Sequence, residues 1–334
     1  MNIAIVGATG NVGRKLLEVL QKLDFKFNEL YLIASNQSIG KKINFKNKEY
    51  STLGLSDFDF AKVKIAFFSA GSTIAEKWAP IAAKKTIVID NSKYFRMDED
   101  IPLVVPEVNP SSLGQYKNKN IIANANCSTI QLVLALKPLH DQFRIKRVVI
   151  STYQSVSGGG KNHMMELEEQ TKSILENKKV KSKNFTKQIA FNVIPHIDSF
   201  MNDGSTKEEW KMAVETKKIL DPSINLTATC VRVPVFVGHS ESINIEFNNN
   251  IDIENIKNCL ASAPGCKVVD EHKDGGYMTP VEIAGDFITY ISRIREDNTQ
   301  KNSINMWVVS DNLLKGAALN AVQIAQLLCK KYLK

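Results

Sequence analysis

Short apolar runs alternate with amphipathic stretches over the first third of the chain. The runs predict strands at residues 2–6, 29–34, 63–68, 86–89 and 120–123, and the stretches between them predict helices such as Arg14–Leu23. Strands and helices that alternate in this way are typical of a parallel sheet with helices on both faces. Residues 1–126 therefore predict a doubly wound α/β domain, in which Arg96 and three prolines mark an irregular crossing segment before the last strand.

The pattern changes after residue 126. The apolar run Ile130–Leu136 predicts a buried helix that Pro138 helps to end, because proline lacks the amide proton of a helix interior. Arg147–Tyr153 predicts a strand. Thr227–Val237 and Ser242–Phe247 alternate apolar with polar residues, which favours antiparallel strands with one exposed face. This part of the chain therefore predicts an α+β domain with a mostly antiparallel sheet.

The last stretch, Asn312–Leu333, is amphipathic and predicts a helix that packs back on the first domain. A chain of 334 residues is long enough for two domains rather than one. We therefore expect one domain from residues 1–126 and 312–334, and a second from residues 127–311.

Composition narrows the class of protein. The chain has no run of about 18 apolar residues, which argues against a membrane span, and its N-terminus leads directly into a strand rather than into a secretory signal. The five cysteines are odd in number and form no C-x-x-C pair, which argues against a zinc site and a disulfide framework. We therefore expect a cytoplasmic protein without a metal.

The net charge of +8 points to anionic ligands. Lysines and arginines are scattered among 35 acidic residues and form no dense basic block, so we do not expect nucleic-acid binding. A small anionic substrate fits this distribution better.

A glycine-rich turn connects the first strand to the first helix. Gly7, Gly10 and Gly13 have the spacing G-x-x-G-x-x-G, whereas dinucleotide sites usually have G-x-G-x-x-G. Glycines in such a turn let the backbone approach a pyrophosphate at the helix N-terminus. The turn therefore predicts a dinucleotide site, although many strand-to-helix turns also contain glycine.

The residues that follow the second predicted strand indicate which dinucleotide binds. Ser35-Asn36-Gln37-Ser38 lacks the acidic residue with which NAD enzymes usually bind the ribose hydroxyls, so the turn favours the 2′-phosphate of NADP. Serines together with Lys41 and Lys42 can bind that phosphate, and a solvated turn is the alternative. The following strand ends at Ser69 and Gly71, and strand ends with small polar residues are where open α/β sheets bind ligands.

Cys127 follows a strand and precedes the buried helix. Asn126 or a nearby serine can cap the first turn, which leaves the thiol beside the free N–H groups of a helix N-terminus. That position favours the thiolate, which is the nucleophilic form. The alternative is an inert buried thiol, since free cysteines are among the most buried residue types.

Other polar side chains in the second half are ambiguous by spacing alone. Arg232 is predicted on the strand face opposite Val231 and Val233, and His239 in the connection before the next strand. Glu208 and Lys211 share a helix face, for which a surface ion pair is the first interpretation. The lone Arg96 is likewise interpreted as a surface charge. The glycine-rich turn 154–161 lacks the spacing of a Walker A loop, so ATP binding is not expected.

Six short motifs occur together in this chain. They are Val6-Gly7-Ala8-Thr9-Gly10-Asn11-Val12-Gly13, Asn126-Cys127-Ser128-Thr129-Ile130-Gln131, Tyr153-Gln154-Ser155-Val156-Ser157-Gly158, Glu209-Trp210-Lys211, Cys230-Val231-Arg232 and Gly238-His239-Ser240-Glu241. Each is short, but the set resembles the aspartate-β-semialdehyde dehydrogenase family in the family's order along the whole chain.

The resemblance implies a Rossmann-type NADP-binding domain and a catalytic and dimerisation domain. It implies the NADPH-dependent conversion of L-aspartyl-4-phosphate to L-aspartate-4-semialdehyde, in the biosynthesis of lysine (through diaminopimelate), methionine and threonine. The assembly would be a homodimer or a tetramer. Many members have arginine where this chain has Gln37, which weakens the expected preference for NADP.

The resemblance also implies roles for individual residues. Cys127 would be the acyl-thioester nucleophile, His239 the general acid/base, and Gln154 the residue that orients the intermediate. Arg232 would bind the substrate carboxylate and Arg96 the phosphate, with Asn126, Glu208 and Lys211 assisting. The cofactor would contact Gly7, Thr9, Gly10, Asn11, Val12, Ser35, Gln37, Ser38, Ser69, Gly71, Ser157, Gly158 and Asn312.

Two other functions fit part of this pattern. N-acetyl-γ-glutamyl-phosphate reductase performs the same chemistry on a substrate that also carries a carboxylate and a phosphate, so Arg232 and Arg96 alone do not exclude it. A non-catalytic NADP-binding regulator would retain the nucleotide fold without an activated thiol at Cys127.

Overall fold

The computed structural model describes residues 1–333, which divide into two compact units. Unit 1 contains Met1–Ala125 and the chain from Ala317 onward, and unit 2 contains Asn126–Gly316. The sequence placed Asn126 and Asn312 with the first domain. Both lie in unit 2, because Asn126 hydrogen-bonds Glu208 and Asn312 hydrogen-bonds Ser157 there.

The elements are numbered in chain order. The strands are β1 (Ile3–Val6), β2 (Leu30–Ala34), β3 (Lys42–Phe45), β4 (Lys48–Ser51), β5 (Leu53–Gly54), β6 (Ile65–Phe68), β7 (Ile87–Asp90), β8 (Leu103–Val104), β9 (Ile121–Asn124), β10 (Ile145–Gln154), β11 (Asn225–Arg232), β12 (His239–Phe247), β13 (Cys266–Val268), β14 (Thr289–Glu296) and β15 (Ser303–Ser310). The α-helices are α1 (Asn11–Lys22), α2 (Ser72–Ala83), α3 (Cys127–Phe143), α4 (Lys161–Leu175), α5 (Lys207–Ile219), α6 (Ile253–Ala261), α7 (Pro280–Ile283) and α8 (Leu319–Tyr332). Short 3₁₀ or π turns occur at Asn36–Ser38, Phe60–Lys62, Ser112–Asn118, Val156–Gly159 and Leu314–Ala318.

Unit 1 is built on a seven-stranded sheet in the order β5-β2-β1-β6-β7-β9-β8, and every pair in it is parallel. β1, β6 and β7 are buried along their whole length, as expected when helices cover both faces. The strand order reverses at β1, whose turn into α1 lies at this switch point. The predicted doubly wound fold is confirmed. Helix α8 packs against α1 and β7.

Unit 2 contains a six-stranded sheet in the order β11-β10-β12-β15-β14-β13. Three of its five pairs are antiparallel, so the predicted mostly antiparallel sheet is confirmed. The prediction for Thr227–Val237 was wrong in two respects. Its strand, β11, ends at Arg232 and pairs in parallel with β10. The long connection through α4 and α5 permits parallel pairing, and Pro234 cannot donate to a ladder.

Pro138 does not end the buried helix. Helix α3 continues to Phe143 with Pro138 inside it. The hydrogen bond lost at an internal proline costs about 3 kcal/mol. Leu139 and Phe143 lie beyond the proline in the core of unit 2, and burial of each such side chain contributes about 1.5–3 kcal/mol. Packing of the last turn therefore offsets the cost.

Candidate active site

Three of the candidate side chains lie in one cross-strand row at the end of the unit 2 sheet. Arg232 is the register partner of Gln154 in the parallel pair β10–β11. Gln154 and His239 each lie one position beyond the antiparallel pair Tyr153–Ser240. Because directly opposite residues point to the same face, the sheet places Arg232, Gln154 and His239 side by side. All three are buried.

Cys127 is the first residue of α3. Asn126 caps this helix, and its side-chain oxygen accepts a hydrogen bond from the Ser128 amide at 2.8 Å. The thiol is half-buried and close enough to Arg232 for its charge to act on the guanidinium. The predicted capped position of Cys127 is confirmed, and the cap leaves the thiol at the positive end of the helix dipole.

Glu208 and Lys211 do not form a surface pair as their spacing suggested. Both side chains are buried, and the Lys211 ammonium lies 2.5 Å from one Glu208 carboxylate oxygen. The other oxygen accepts hydrogen bonds from Asn126 Nδ2 and Gln154 Nε2, each at 3.0 Å. Glu208 thus connects the cap of the Cys127 helix to the cross-strand row.

These partners keep Glu208 ionised. Burial alone would raise the pKa of this carboxyl, but the charge of Lys211 and the hydrogen bonds from Lys211, Asn126 and Gln154 lower the pKa to about 2. The Glu208 carboxylate is therefore negatively charged at neutral pH, and it lies beside Gln154 of the cross-strand row.

Arg232 is fixed by the backbone rather than by a carboxylate. Its Nη1 donates to the Ser155 carbonyl at 2.7 Å. Burial lowers the pKa of the guanidinium, while the charges of Glu208 and Cys127 act in the opposite direction. Arg232 is not hydrogen-bonded to the buried Glu241, since neither Glu241 oxygen has a hydrogen-bond partner of good geometry among residues 1–333.

His239 begins β12 instead of lying in the preceding connection. Its Nδ1 accepts a hydrogen bond from the Ser155 amide at 3.0 Å, which places the proton of the neutral ring on Nε2. Burial, and then the charge of Arg232, lower the pKa of His239 to about 3. Nε2 has no hydrogen-bond partner within the described part of the chain. The ring is therefore neutral and presents an N–H group to a ligand.

The side chains of Arg232 and His239 leave little room for a Cβ atom at Gly158. A Cβ atom at this position would lie 3.1 Å from Arg232 Nη1 and 3.2 Å from His239 Nε2. Asn312 supports the same region, because its Oδ1 accepts from the Gly238 amide at 2.9 Å and its Nδ2 donates to Ser157 Oγ at 2.9 Å. The structure thus brings Ser157, Gly158 and Asn312 together around His239.

In unit 1, Arg96 is buried and not a surface charge. Its Nε donates to the Asn124 carbonyl at 2.9 Å and one Nη to the Asn91 carbonyl at 3.2 Å. Asn124 and Asn91 end β9 and follow β7, so Arg96 is held at the carboxyl edge of the parallel sheet, where such sheets bind ligands.

A pocket of about 770 Å³ lies at the same edge of unit 1. It contains six of the predicted cofactor residues, namely Gly7, Thr9, Gly10, Ser35, Gln37 and Ser69. Gly7 has φ +88°, and a Cβ there would lie 2.6 Å from the Ser69 carbonyl oxygen. Other predicted residues do not line it. Asn11 and Val12 begin α1, Ser38 is buried, and Gly71 precedes α2.

The sequence did not predict the apolar part of this pocket. Leu55 lies after β5, while Ile74 and Trp78 lie one turn apart on α2. An apolar wall beside a glycine turn fits the adenine and pyrophosphate of a dinucleotide. The i,i+4 spacing of Ile74 and Trp78 could have indicated an apolar pocket wall in the sequence, but the same spacing is also typical of ordinary core packing. Lys41 and Lys42 are not among the lining residues, and no lining side chain is charged.

Two residues of unit 2 were also missed. Glu215 is fully buried, and one of its carboxylate oxygens accepts a hydrogen bond from the Asn126 amide at 2.7 Å. Gly316 packs against Cys127, because a Cβ there would lie 2.9 Å from Cys127 Cβ. Glu215 could have been found from the buried stripe of α5, where it follows Glu208 and Lys211 by helical spacing.

Residues 1–333 contain neither a metal-binding cluster nor a membrane-spanning helix. No group of three or more His, Cys, Asp or Glu side chains is placed to hold a metal ion. Likewise, none of the helices described is long and apolar enough to cross a membrane.

Comparison with known proteins decides the family. Residues 2–116 match the semialdehyde dehydrogenase NAD binding domain, and residues 136–315 match the semialdehyde dehydrogenase dimerisation domain. The aspartate-semialdehyde dehydrogenase of Rickettsia bellii is 52% identical over 336 residues, which cover 99% of this chain and 98% of that protein. The chain belongs to the aspartate-semialdehyde dehydrogenase family. The resemblance inferred from the six motifs is thereby confirmed.

Solved structures of the aspartate-semialdehyde dehydrogenase family agree with the fold. Aspartate semialdehyde dehydrogenase II of Vibrio cholerae, complexed with ASA, has a TM-score of 0.97 and 48% identity, covering 99% of this chain and 98% of its own. The Candida albicans enzyme, solved with NADP, has a TM-score of 0.73 and 26% identity, covering 98% of both chains. Unit 1 therefore contains the family's nicotinamide-cofactor domain, and unit 2 its dimerisation domain.

Proposed function

We propose that this protein catalyses the NADPH-dependent reductive dephosphorylation of L-aspartyl-4-phosphate to L-aspartate-4-semialdehyde, in the biosynthesis of lysine, methionine and threonine. The observation that carries the proposal is the placement of Cys127, at the start of a capped helix, in one unit with Arg232, Gln154 and His239. A nucleophile, an anion binder and a proton carrier are what the reduction of an acyl phosphate requires.

Cys127 begins the reaction. Its thiolate attacks the acyl carbonyl, a C–S bond forms, and inorganic phosphate leaves. Backbone N–H groups at the start of α3 can donate to the developing oxyanion, and a donor of this kind contributes about 2.7–4 kcal/mol in comparable sites. The bound cofactor supplies the hydride that reduces the thioester. Collapse of the resulting thiohemiacetal breaks the C–S bond, releases the aldehyde and restores the Cys127 thiolate. Gln154 orients the intermediate from its place between Arg232 and His239.

His239 acts as the proton carrier. In the free protein its ring is neutral, and the charge of Arg232 contributes to the low pKa. A substrate carboxylate bound to Arg232 neutralises that charge, so substrate binding raises the pKa of His239 towards the range of a general acid/base. Nε2, which has no partner in residues 1–333, is the atom that exchanges the proton with the substrate oxygen.

Glu208 supports aspartyl phosphate over the N-acetylated glutamyl substrate. Its carboxylate is ionised and buried, and a fixed negative charge favours a substrate with a free ammonium group over one whose nitrogen is acylated and neutral. Arg232 binds the substrate carboxylate, and Lys211 assists at the substrate.

NADP is the proposed cofactor. The pocket of unit 1 has no acidic lining residue to repel a 2′-phosphate, and Ser35 and Gln37 line its ribose end. The NADP complex of the Candida albicans relative supports the same cofactor. Because no lining side chain is cationic either, the preference over NAD is modest.

The proposed assembly is a homodimer in the cytoplasm. The match to a dimerisation domain supports it, as does an aromatic pair on the sheet of unit 2, where Tyr153 is 38% exposed and lies 5.5 Å from Trp307 between ring centroids. None of the five cysteines forms a disulfide, which is consistent with a reducing compartment.

A direct assay tests the function. Purified protein is mixed with NADP, phosphate and either L-aspartate-4-semialdehyde or N-acetyl-L-glutamate 5-semialdehyde, and NADPH formation is followed. We expect turnover with the aspartyl compound and at least a hundredfold lower kcat/KM with the other. The reverse preference would identify the acetylglutamyl reductase, and no turnover with either would indicate a non-catalytic protein.

A further inference from the structure

A second cross-strand row lies directly behind Arg232, Gln154 and His239. In it, Thr152 is the register partner of Cys230 on one side and of Glu241 on the other. Glu241 follows His239 by two residues on β12, so both side chains point to the same face of the sheet. The Glu241 side chain is fully buried. An acid thus lies immediately behind the proposed proton carrier, where it does not reach the substrate.

Gln131 has the corresponding position on the nucleophile's helix. It follows Cys127 by four residues on α3, and residues with this spacing lie one above the other on a helix face. Gln131 is also buried, and α3 packs against β10 and β12. Gln131 therefore lies one helical turn after Cys127, on the same face of α3. Glu241 likewise lies at the next same-face position after His239 on β12.

The polar side-chain atoms of Glu241 and Gln131 form no hydrogen bonds with the rest of the described chain. Neither oxygen of Glu241, and neither polar atom of the Gln131 amide, has a hydrogen-bond partner with good geometry among the described residues. Burial raises the pKa of Glu241 well above its usual range, and the Gln131 amide is the group that opposes this rise. Burial therefore favours the protonated form of Glu241, and Gln131 is the polar side chain that acts on its carboxyl group.

We propose that Glu241 and Gln131 form a positioning pair that holds the Cys127 helix in a fixed place over the His239 strand during catalysis. A carboxyl group and a primary amide can exchange two hydrogen bonds, O–H to Oε1 and Nε2–H to the carboxyl oxygen. Such a pair fixes the axial position of α3 on the sheet. It acts on the chemical step through Cys127 and His239.

The inference rests on the proposed thioester chemistry at Cys127 and predicts a specific kinetic signature. Since neither residue contacts the substrate, loss of the pair lowers kcat and leaves KM for aspartate semialdehyde nearly unchanged. Since the acid works in its neutral form, glutamine can replace it.

Four variants test the pair: Glu241→Gln, Glu241→Leu, Gln131→Leu and the double variant Glu241→Leu/Gln131→Leu. Steady-state kinetics, NADP affinity, melting temperature and the rate of Cys127 alkylation by iodoacetamide are measured for each. Thr216→Val is the matched control, because it replaces a buried hydroxyl that also has no partner among residues 1–333. The control should keep the kcat of the wild type.

We expect Glu241→Gln to keep kcat within threefold, and each single leucine variant to lose at least tenfold in kcat with less than threefold change in KM. The double variant should lose no more than either single variant, since the two residues act as one unit. Wild-type kcat in Glu241→Leu, an inactive Glu241→Gln, or additive losses in the double variant would each overturn the proposal. An inactive wild type would instead reject the proposed function, and the alkylation rates would still report whether the pair positions Cys127.

Discussion

Arg232 and His239 both lie close to Gly158, and after burial the charge of Arg232 is the next cause that lowers the pKa of His239. In the proposed function Arg232 binds the substrate carboxylate, so the same residue would also influence the protonation of its neighbour. In that mechanism the charge of the bound substrate and the proton transfer are coupled through Arg232 and His239.

Replacement of Arg232 by lysine tests the binding half of this relationship. Lysine keeps the charge but cannot donate to the Ser155 carbonyl and also grip a carboxylate through two parallel hydrogen bonds. We expect Arg232→Lys to lower kcat/KM for aspartate semialdehyde at least a hundredfold, with NADP affinity unchanged. Arg295→Lys, at an exposed position of β14, is the control. Early unfolding with a normal kcat/KM would show that Arg232 is structural.

His239 should make the protein less stable in mild acid. Its pKa is about 3 in the folded protein and about 6.5 in an unfolded chain, so between these values only the unfolded state binds the proton. The contribution of His239 to stability is therefore complete above pH 6.5 and decreases as the pH falls towards 3. Between pH 5 and 4, the free energy of unfolding of the wild type should fall by about 1.4 kcal/mol per pH unit more steeply than that of His239→Asn.

Urea titrations of both proteins at several pH values measure this difference. At pH 8 the two slopes should agree, because His239 is neutral in both states there. Equal slopes between pH 5 and 4 would mean that the ring is protonated in the folded protein.

Cys127→Ser tests the covalent step. A serine hydroxyl is scarcely ionised without a dedicated base, so turnover should fall at least a thousandfold while NADP binding stays intact. Cys259→Ser changes a half-buried thiol of α6 and should leave kcat unchanged. Substantial activity of Cys127→Ser would remove the thioester mechanism.

Cofactor preference should respond to Gln37. Because no lining residue of the unit 1 pocket is charged, Gln37→Arg should raise the ratio of kcat/KM for NADP to that for NAD at least tenfold. The ratio is measured with both cofactors at saturating substrate. A ratio that does not change would place the 2′-phosphate elsewhere.

The sequence predicted the parallel sheet of unit 1 well, because buried strands and covering helices leave a strong periodic signal. It could not predict the parallel partner of β11, since alternation reports which face is buried and not which strand lies beside it. The prediction that Pro138 helps to end the buried helix failed for a related reason. The packing of Leu139 and Phe143 beyond it depends on residues far away in the chain.

Prediction of the site was limited in the same way. An i,i+3 spacing of Glu208 and Lys211 is the same for an exposed and a buried pair, and only tertiary packing distinguishes them. The capped position of Cys127 was predictable because a cap is local. The roles assigned to individual residues by resemblance remain predictions until the variants are measured.

The cross-strand row also limits how this chain can change length. Side chains alternate between the two faces of a strand, so one residue inserted within β10 before Gln154 would turn that side chain away from Arg232 and His239. An insertion before Ile150 would also turn that buried side chain to the opposite face of the sheet. Active variants of this protein should therefore tolerate insertions and deletions in loops but not within these strands. An insertion that preserves the hydrophobicity of a strand would still reverse the faces of its side chains.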